Sequence, residues 1–329
     1  MHADEFDIDA GLVGRLLASQ FPEWAELPLR PVPSAGTANA SFRLGPDMVV
    51  RLPRIPGAAE EVAKEQHWLP RLAPLLPLAI PTPLGAGVPG ESYPWNWSVY
   101  GWLEGETATR ERIVDPSVAA TDLAEFVVAL ERIDPTGGPG PGPHNWFRGV
   151  PLARRDRPTR QAIGELVGTL DTGAATAAWE AALEAPEWRG PPVWLHGDLQ
   201  ETNLLATGGR LSAVIDFGCL GAGDPASDVM AAWTYLSAAT RDRFRSMLSV
   251  DDATWARGRG WALSMGLVAL PYYRTTNPVF TTGPPTRCSP GSPAGSSTRS
   301  SLIPWDRRDE ATVTSVGRGT VGRGWRVGG

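Results

Sequence analysis

The chain has 329 residues, 42% of them apolar and 20% charged, with a net charge of −6. That length accommodates two lobes with buried cores, and the composition is that of a globular protein rather than a fibrous or disordered one. The acidic balance argues against a nucleic-acid partner, and no apolar run approaches the ~20 residues that span a bilayer. Two cysteines, Cys219 and Cys288, imply no disulfide framework. The acidic N-terminus lacks the pattern of a secretion signal, so the expected location is cytoplasmic, with no membrane partner.

In chain order, residues 8–21 set apolar side chains at 8, 12, 13, 16 and 17, a helical period that Asp7 or Asp9 can cap. Residues 27–33 read as an extended, proline-studded edge. Ser34-Ala35-Gly36-Thr37-Ala38-Asn39-Ala40-Ser41 is small and polar between strand-like runs. Backbone N–H groups there can approach phosphate oxygens, and an ordinary hairpin turn is the other reading. Met48–Pro53 is a strand carrying Arg51. Lys64 is the only lysine among 30 basic residues, so a phosphate contact from a strand must come from arginine.

Residues 58–69 form a helix candidate with Glu60, Glu61 and Glu65, which Pro70 and Pro74 are expected to kink or end. A Pro/Gly connector over 77–94 leads to an aromatic strand, where Trp95 and Trp97 alternate with polar residues as sheet packing does. Residues 116–133 have the period of a long amphipathic helix. After a Pro/Gly loop over 134–143, residues 154–160 are basic and read as surface, and 162–170 and 174–183 read as helices. Beyond the motifs described next, helices are expected from Asp224-Pro225 to about 237 and over 251–273.

The densest chemistry lies in two adjacent stretches. Val193-Trp194-Leu195 is an apolar run that ends in His196-Gly197-Asp198, with Asn203 five residues further on. Ala213-Val214-Ile215 is a second run, ending in Asp216-Phe217-Gly218. One carboxylate can take a proton from a hydroxyl, while an amide oxygen and a second carboxylate can hold Mg²⁺ on nucleotide phosphates. Phosphoryl transfer needs those parts and little further covalent chemistry. A metal-dependent hydrolase on His196 and Asp198 would need more ligands than four scattered histidines supply.

This pair of motifs, followed by Gly223-Asp224-Pro225-Ala226-Ser227-Asp228, resembles the signature of the aminoglycoside phosphotransferase family, and the likeness extends from about residue 33 to 278. The resemblance implies an α+β, protein-kinase-like fold with a small antiparallel-sheet N-lobe and a mostly helical C-lobe. It implies a nucleotide-binding lobe over residues 1–103 and a catalytic and substrate lobe over 104–279. It further implies transfer of the γ-phosphate of ATP or GTP, with Mg²⁺, to a hydroxyl of a small molecule such as an aminoglycoside. By that likeness Asp198 is the catalytic base, Asn203 and Asp216 hold the metal, and Ser34, Gly36 and Thr37 lie in the nucleotide loop. Arg51, paired with Glu65, steadies the phosphates; backbone groups at Trp102 and Leu103 hold the base; Asp228 braces the catalytic loop. Glu104, Glu106 and Glu111 are candidates for acceptor amines. A macrolide or another metabolite could be the acceptor instead. Arginine at position 51 and the single glycine of the 34–41 loop keep open a nucleotide-binding protein without catalysis.

From about residue 280 the character changes. Residues 281–329 hold 11 apolar residues, 9 glycines and seven arginines against three acids, with no period. Such a segment is expected to be disordered, and its abrupt onset after Tyr272-Tyr273-Arg274 suggests an out-of-frame extension.

Overall fold

The computed structural model describes residues 6–32 and 38–276, with side chains through 270. The expected phosphate loop at Ser34, Gly36 and Thr37 and the tail over 280–329 lie outside the described residues.

Five strands build the first sheet: β1 (Leu29–Pro31), β2 (Asn39–Leu44), β3 (Met48–Pro53), β4 (Pro83–Gly87) and β5 (Trp97–Gly101). Their order is β1-β2-β3-β5-β4, antiparallel throughout. Strand β2 alternates between buried and half-buried positions, as a sheet with one covered face requires. That face meets helix α1 (Ala10–Gln20), whose Leu12, Val13, Leu16 and Leu17 share a core with Phe42, Leu44, Val50, Leu52, Trp97 and Val99. Each such side chain contributes roughly 1.5–3 kcal/mol of burial. Asp9 caps α1 by accepting from the Leu12 N–H at 2.7 Å.

Helix α2 (Pro56–Leu72) is longer than its sequence suggests, because it continues through Pro70. Leu69 and Leu72 are both buried in the core of the second lobe. Packing thus outweighs the proline's cost to the helix.

The second lobe is mostly helical. Helix α3 (Pro116–Arg132), capped by Asp115, runs through its core. Helix α4 (Asp156–Glu165) begins earlier than expected, inside the basic 154–160 segment, whose Arg154, Arg157 and Arg160 are exposed as a surface segment requires. Asp156 receives the Trp179 indole N–H at 2.8 Å, Thr159 meets Ser264 at 2.7 Å, and Gly168 turns the chain away in the left-handed region at φ 79°. Helix α5 (Thr172–Leu183) follows.

Two short hydrogen-bonded units carry the motifs. Strands β6 (Glu106–Thr107), β8 (Leu204–Thr207) and β9 (Arg210–Val214) form one, and β7 (Val193–Leu195) pairs with β10 (Gly221–Gly223). The β8–β9 turn is Gly208-Gly209, both at positive φ, as a tight hairpin demands. The single helix expected up to 237 is instead α6 (Ala226–Val229) and α7 (Ala231–Thr234). There the Thr234 hydroxyl is drawn to the Leu199 carbonyl at 2.7 Å. Helices α8 (Ala238–Leu248) and α9 (Asp252–Thr276) complete the described chain.

Candidate active site

Strand β7 delivers the chain to a loop whose backbone is fixed from below. Asp228 is fully buried, and its carboxylate accepts the N–H groups of His196 (2.7 Å) and Gly197 (2.6 Å). Burial pushes the Asp228 carboxyl above its ordinary range, against the pull of the His196 ring and of these two N–H donors. His196 is also buried; its Nε2 donates to the Ile215 carbonyl at 3.1 Å and its Nδ1 accepts the Asp198 N–H at 3.2 Å. With both ring nitrogens committed, His196 holds the loop and is not available as a base.

Asp198 stands at the loop's edge. Its Oδ2 accepts from Gln200 Nε2 and Asn203 Nδ2, each at 2.9 Å. Asn203 Nδ2 also donates to the Asp198 carbonyl at 2.9 Å, so the amide nitrogen is spent within the loop and the amide oxygen is the group left for a cation. The Asn203 carbonyl accepts the Ile215 N–H at 2.9 Å, which sets Asp216 beside Asn203 across the base of the β8–β9 hairpin. An amide oxygen and a carboxylate are hard donors of the kind Mg²⁺ takes together with phosphate oxygens, so the residues present fit that ion.

The other lobe reaches this point through Arg51 on β3. Its Nη1 meets Glu65 of α2 at 3.0 Å and its Nη2 meets Asp216 at 2.6 Å. Of the three glutamates on α2, Glu65 is the partner, and it also accepts from the Tyr100 hydroxyl. Burial works against the Arg51 charge, yet Asp216 and Glu65 more than offset it and raise its pKa. Burial likewise favours the neutral form of Asp216, but the guanidinium prevails and holds the carboxyl below its ordinary range. Asp216 adopts a left-handed backbone at φ 66°, a strained conformation for a carboxylate residue and one common at functional sites.

Two neighbours on α2 support the arrangement. Lys64, the sole lysine, is on this helix rather than on the strand, and its ammonium donates to the carbonyls of His144 (2.9 Å) and Gly218 (2.6 Å). Glu61 packs on Gly218 so closely that a Cβ there would lie 2.5 Å from its carboxylate. Burial raises the Glu61 pKa to about 7, opposed by Arg51 and reinforced by Glu65 and Asp216.

Sequence reasoning missed Arg148. This buried side chain donates from Nε to the Gly197 carbonyl at 2.6 Å, and its Nη2 lies 3.6 Å from Asp198 Oδ1. Gly197, at φ 81°, must be glycine for that approach, since a Cβ would meet Arg148 Cγ at 2.8 Å. At the expected hinge, Trp102 donates its backbone N–H to the Asp47 carbonyl at 2.7 Å and its ring is covered by Arg43. Two of the three candidate acids for acceptor amines are already paired, Glu104 with Arg43 and Glu106 with Arg112, both at 3.2 Å.

A protein-kinase-like pair of lobes with an acid–amide–acid set at their junction is the frame of a phosphotransferase, and comparison with known proteins agrees. Residues 29–261 match the model of the phosphotransferase enzyme family, and the chain belongs to that family. No curated protein matches it by sequence. Among solved structures, it is similar to the GDP and kanamycin complex of APH(2")-IIia, at 19% identity and TM-score 0.67, covering 81% of this chain and 93% of that one. It is also similar to the macrolide 2'-phosphotransferase MphH from Brachybacterium faecium, at 22% identity and TM-score 0.57, covering 82% and 93%. A streptomycin–ATP complex of APH(2")-IIa aligns at 17% identity and TM-score 0.54, over 80% and 90%. These likenesses establish the kinase-like α+β fold.

Proposed function

We propose that the protein transfers the γ-phosphate of ATP or GTP to a hydroxyl of a small molecule, in a Mg²⁺-dependent reaction. The observation that carries this is the junction of Asp198, Asn203 and Asp216 on one loop-and-hairpin unit, met from the other lobe by Arg51. Asp198 orients the acceptor hydroxyl and takes its proton as the oxygen bonds to the γ-phosphorus and the bond to the nucleotide's bridging oxygen breaks. Gln200 and Asn203 keep the Asp198 carboxylate in place through their hydrogen bonds. Arg51, oriented by Glu65, is the cation for the phosphates, and its planar fork can engage two oxygens at once. Asn203 and Asp216 would hold Mg²⁺, which when bound neutralises charge on the phosphates. The Trp102 carbonyl and the backbone of Leu103 would meet the base, and the segment with Ser34, Gly36 and Thr37 would cover the phosphates. The need for a nucleoside triphosphate favours a cytoplasmic location.

Thermal unfolding of the purified chain with ATP or GTP, with and without Mg²⁺, tests this reading. The expected result is a rise in Tm that requires both metal and nucleotide. A cooperative transition that neither nucleotide moves would refute it.

A further inference from the structure

Two guanidinium groups meet over one indole, and one of them reaches the base. Trp261 of α9 is fully buried, and the Cζ atoms of Arg148 and Arg155 lie 5.9 and 5.7 Å from its ring centre. A ring face attracts an arginine but occupies none of its N–H groups. The Trp261 indole N–H also has no acceptor among the described residues.

Donors here outnumber acceptors. Arg155 places Nε on Ser264 Oγ at 3.2 Å and Nη2 near Met265 Sδ, a weak acceptor, at 3.8 Å. It has no carboxylate partner among the described residues. Asp156, its neighbour in sequence, is engaged by Arg160 and by the Trp179 N–H, both at 2.8 Å. Arg148 is 5% exposed and spends Nε on the Gly197 carbonyl at 2.6 Å. Its Nη2 is 3.6 Å from Asp198 Oδ1, beyond hydrogen-bond distance. Two cations thus share one carboxylate, and that one belongs to the base. Burial first, and the like charge of Arg148 second, lower the Arg155 pKa to about 10.

A guanidinium taken out of water with its fork unfilled costs stability that an apolar side chain of similar size avoids. That fork matches two oxygens of a carboxylate or a phosphate. The pair is also within reach of a ligand, since Arg155 is half-buried and the Asp198 side chain is 24% exposed. Arg51, on the other lobe, is the cation for the nucleotide, which leaves these two arginines of the second lobe for the acceptor.

We infer that Arg148 and Arg155 form an oxyanion site beside Asp198, and that the acceptor carries a carboxylate or a phosphate ester as well as the hydroxyl it presents to the base. The inference rests on the phosphotransferase reading of Asp198. The oxyanion accepts from the two forks and relieves the repulsion between them.

The test titrates D-gluconate, D-glucitol 6-phosphate or neutral D-glucitol into the full chain, with and without Mg²⁺ and ADP, at constant ionic strength, and reads the Tm. The three share a hydroxylated six-carbon chain and differ in the anionic group. One anion or both should bind with an apparent Kd at least about tenfold below that of D-glucitol, and which of them does so tells carboxylate from phosphate ester. Arg155→Gln, which keeps an amide for Ser264, is expected to raise that Kd about tenfold or more. Arg155→Lys gives a point charge in place of the fork and should raise it less; if the glutamine variant does not fold, the lysine variant carries the test. No preference for either anion over D-glucitol overturns the oxyanion site, and so does an apparent Kd that is the same in wild type and in the folded variant. A variant that loses the ADP response and keeps the anion response also overturns it, because the arginine then serves the nucleotide. A chain that no nucleotide stabilises, but whose anion response depends on Arg155, keeps the site and overturns the phosphotransferase reading, and with it the assignment of the site to an acceptor.

Discussion

The Arg51 guanidinium closes on the Asp216 carboxylate at 2.6 Å across 165 residues of chain, while its other nitrogen holds Glu65. One side chain therefore joins the sheet, helix α2 and the residue that follows the β8–β9 hairpin. Glu65 is 3% exposed, so removing the arginine strands a buried carboxylate. Arg51→Met is expected to cost about 3–5 kcal/mol in urea unfolding and to abolish the nucleotide-induced rise in Tm. Arg51→Lys offers one point charge in place of a fork, so it should fold with a smaller loss and a weakened nucleotide response. A methionine variant as stable as wild type would show that the bridge is not structural.

Asp198→Asn keeps the shape of the side chain and removes its capacity to take a proton. Turnover is expected to fall by roughly 10²–10⁴-fold, with the Mg²⁺–nucleotide shift in Tm preserved. Steady-state phosphate transfer beside a thermal scan separates the two effects, and undiminished turnover would remove Asp198 from the mechanism.

Glu61 gives stability a pH dependence. Its pKa rises from 4.5 in the ordinary case to about 7 in the folded chain, chiefly through burial. Between those values the folded state binds more protons than the unfolded state, so stability falls as pH rises through that window. The full contribution is about 3 kcal/mol, present below pH 4.5 and lost above about 7. Glu61→Gln cannot ionise. In urea unfolding at pH 5, 6, 7 and 8, its advantage over wild type should grow with pH by most of that amount, about 2.5 kcal/mol. A constant difference would exclude Glu61 as the source.

A buried pair outside the Asp198, Asn203 and Asp216 set provides a contrast. Arg257 of α9 engages both oxygens of Asp224, at 2.9 and 3.1 Å, and the two side chains are 3% and 4% exposed. Arg257→Met should lower stability by about 3–5 kcal/mol because Asp224 is left buried without its partner. At a temperature where the variant is folded, its KM for nucleotide should match wild type; a large change in KM would tie this pair to the cleft.

Much of this was legible in the sequence where chemistry and local structure coincide. Asp198 and Asp216 come at the ends of apolar strand runs and Asn203 directly precedes one, and the hydrogen bond between Asn203 and Ile215 is a consequence of the short hairpin between them. Other features were hidden because they are made by distant contacts. Arg148 lies at the end of a Pro/Gly-rich stretch, and its role arises only when Gly197, 49 residues later, is brought against it. Helix α8 escaped notice because its buried stripe includes Thr240 and Arg241, which blur the apolar period. The passage of α2 through Pro70 depends on a core that Leu69 and Leu72 reach in the other lobe.

The two-glycine hairpin has a mechanical consequence. Asn203 and Asp216 sit at opposite feet of one short, tightly bonded ribbon, and Asp198 is tied to Asn203. Arg51 belongs to a different body, the sheet, and touches this ribbon through a single ion pair. If the lobes part to admit or release a nucleotide, Asp198, Asn203 and Asp216 travel as one piece, and the ion pair of Arg51 with Asp216 is among the links that must yield.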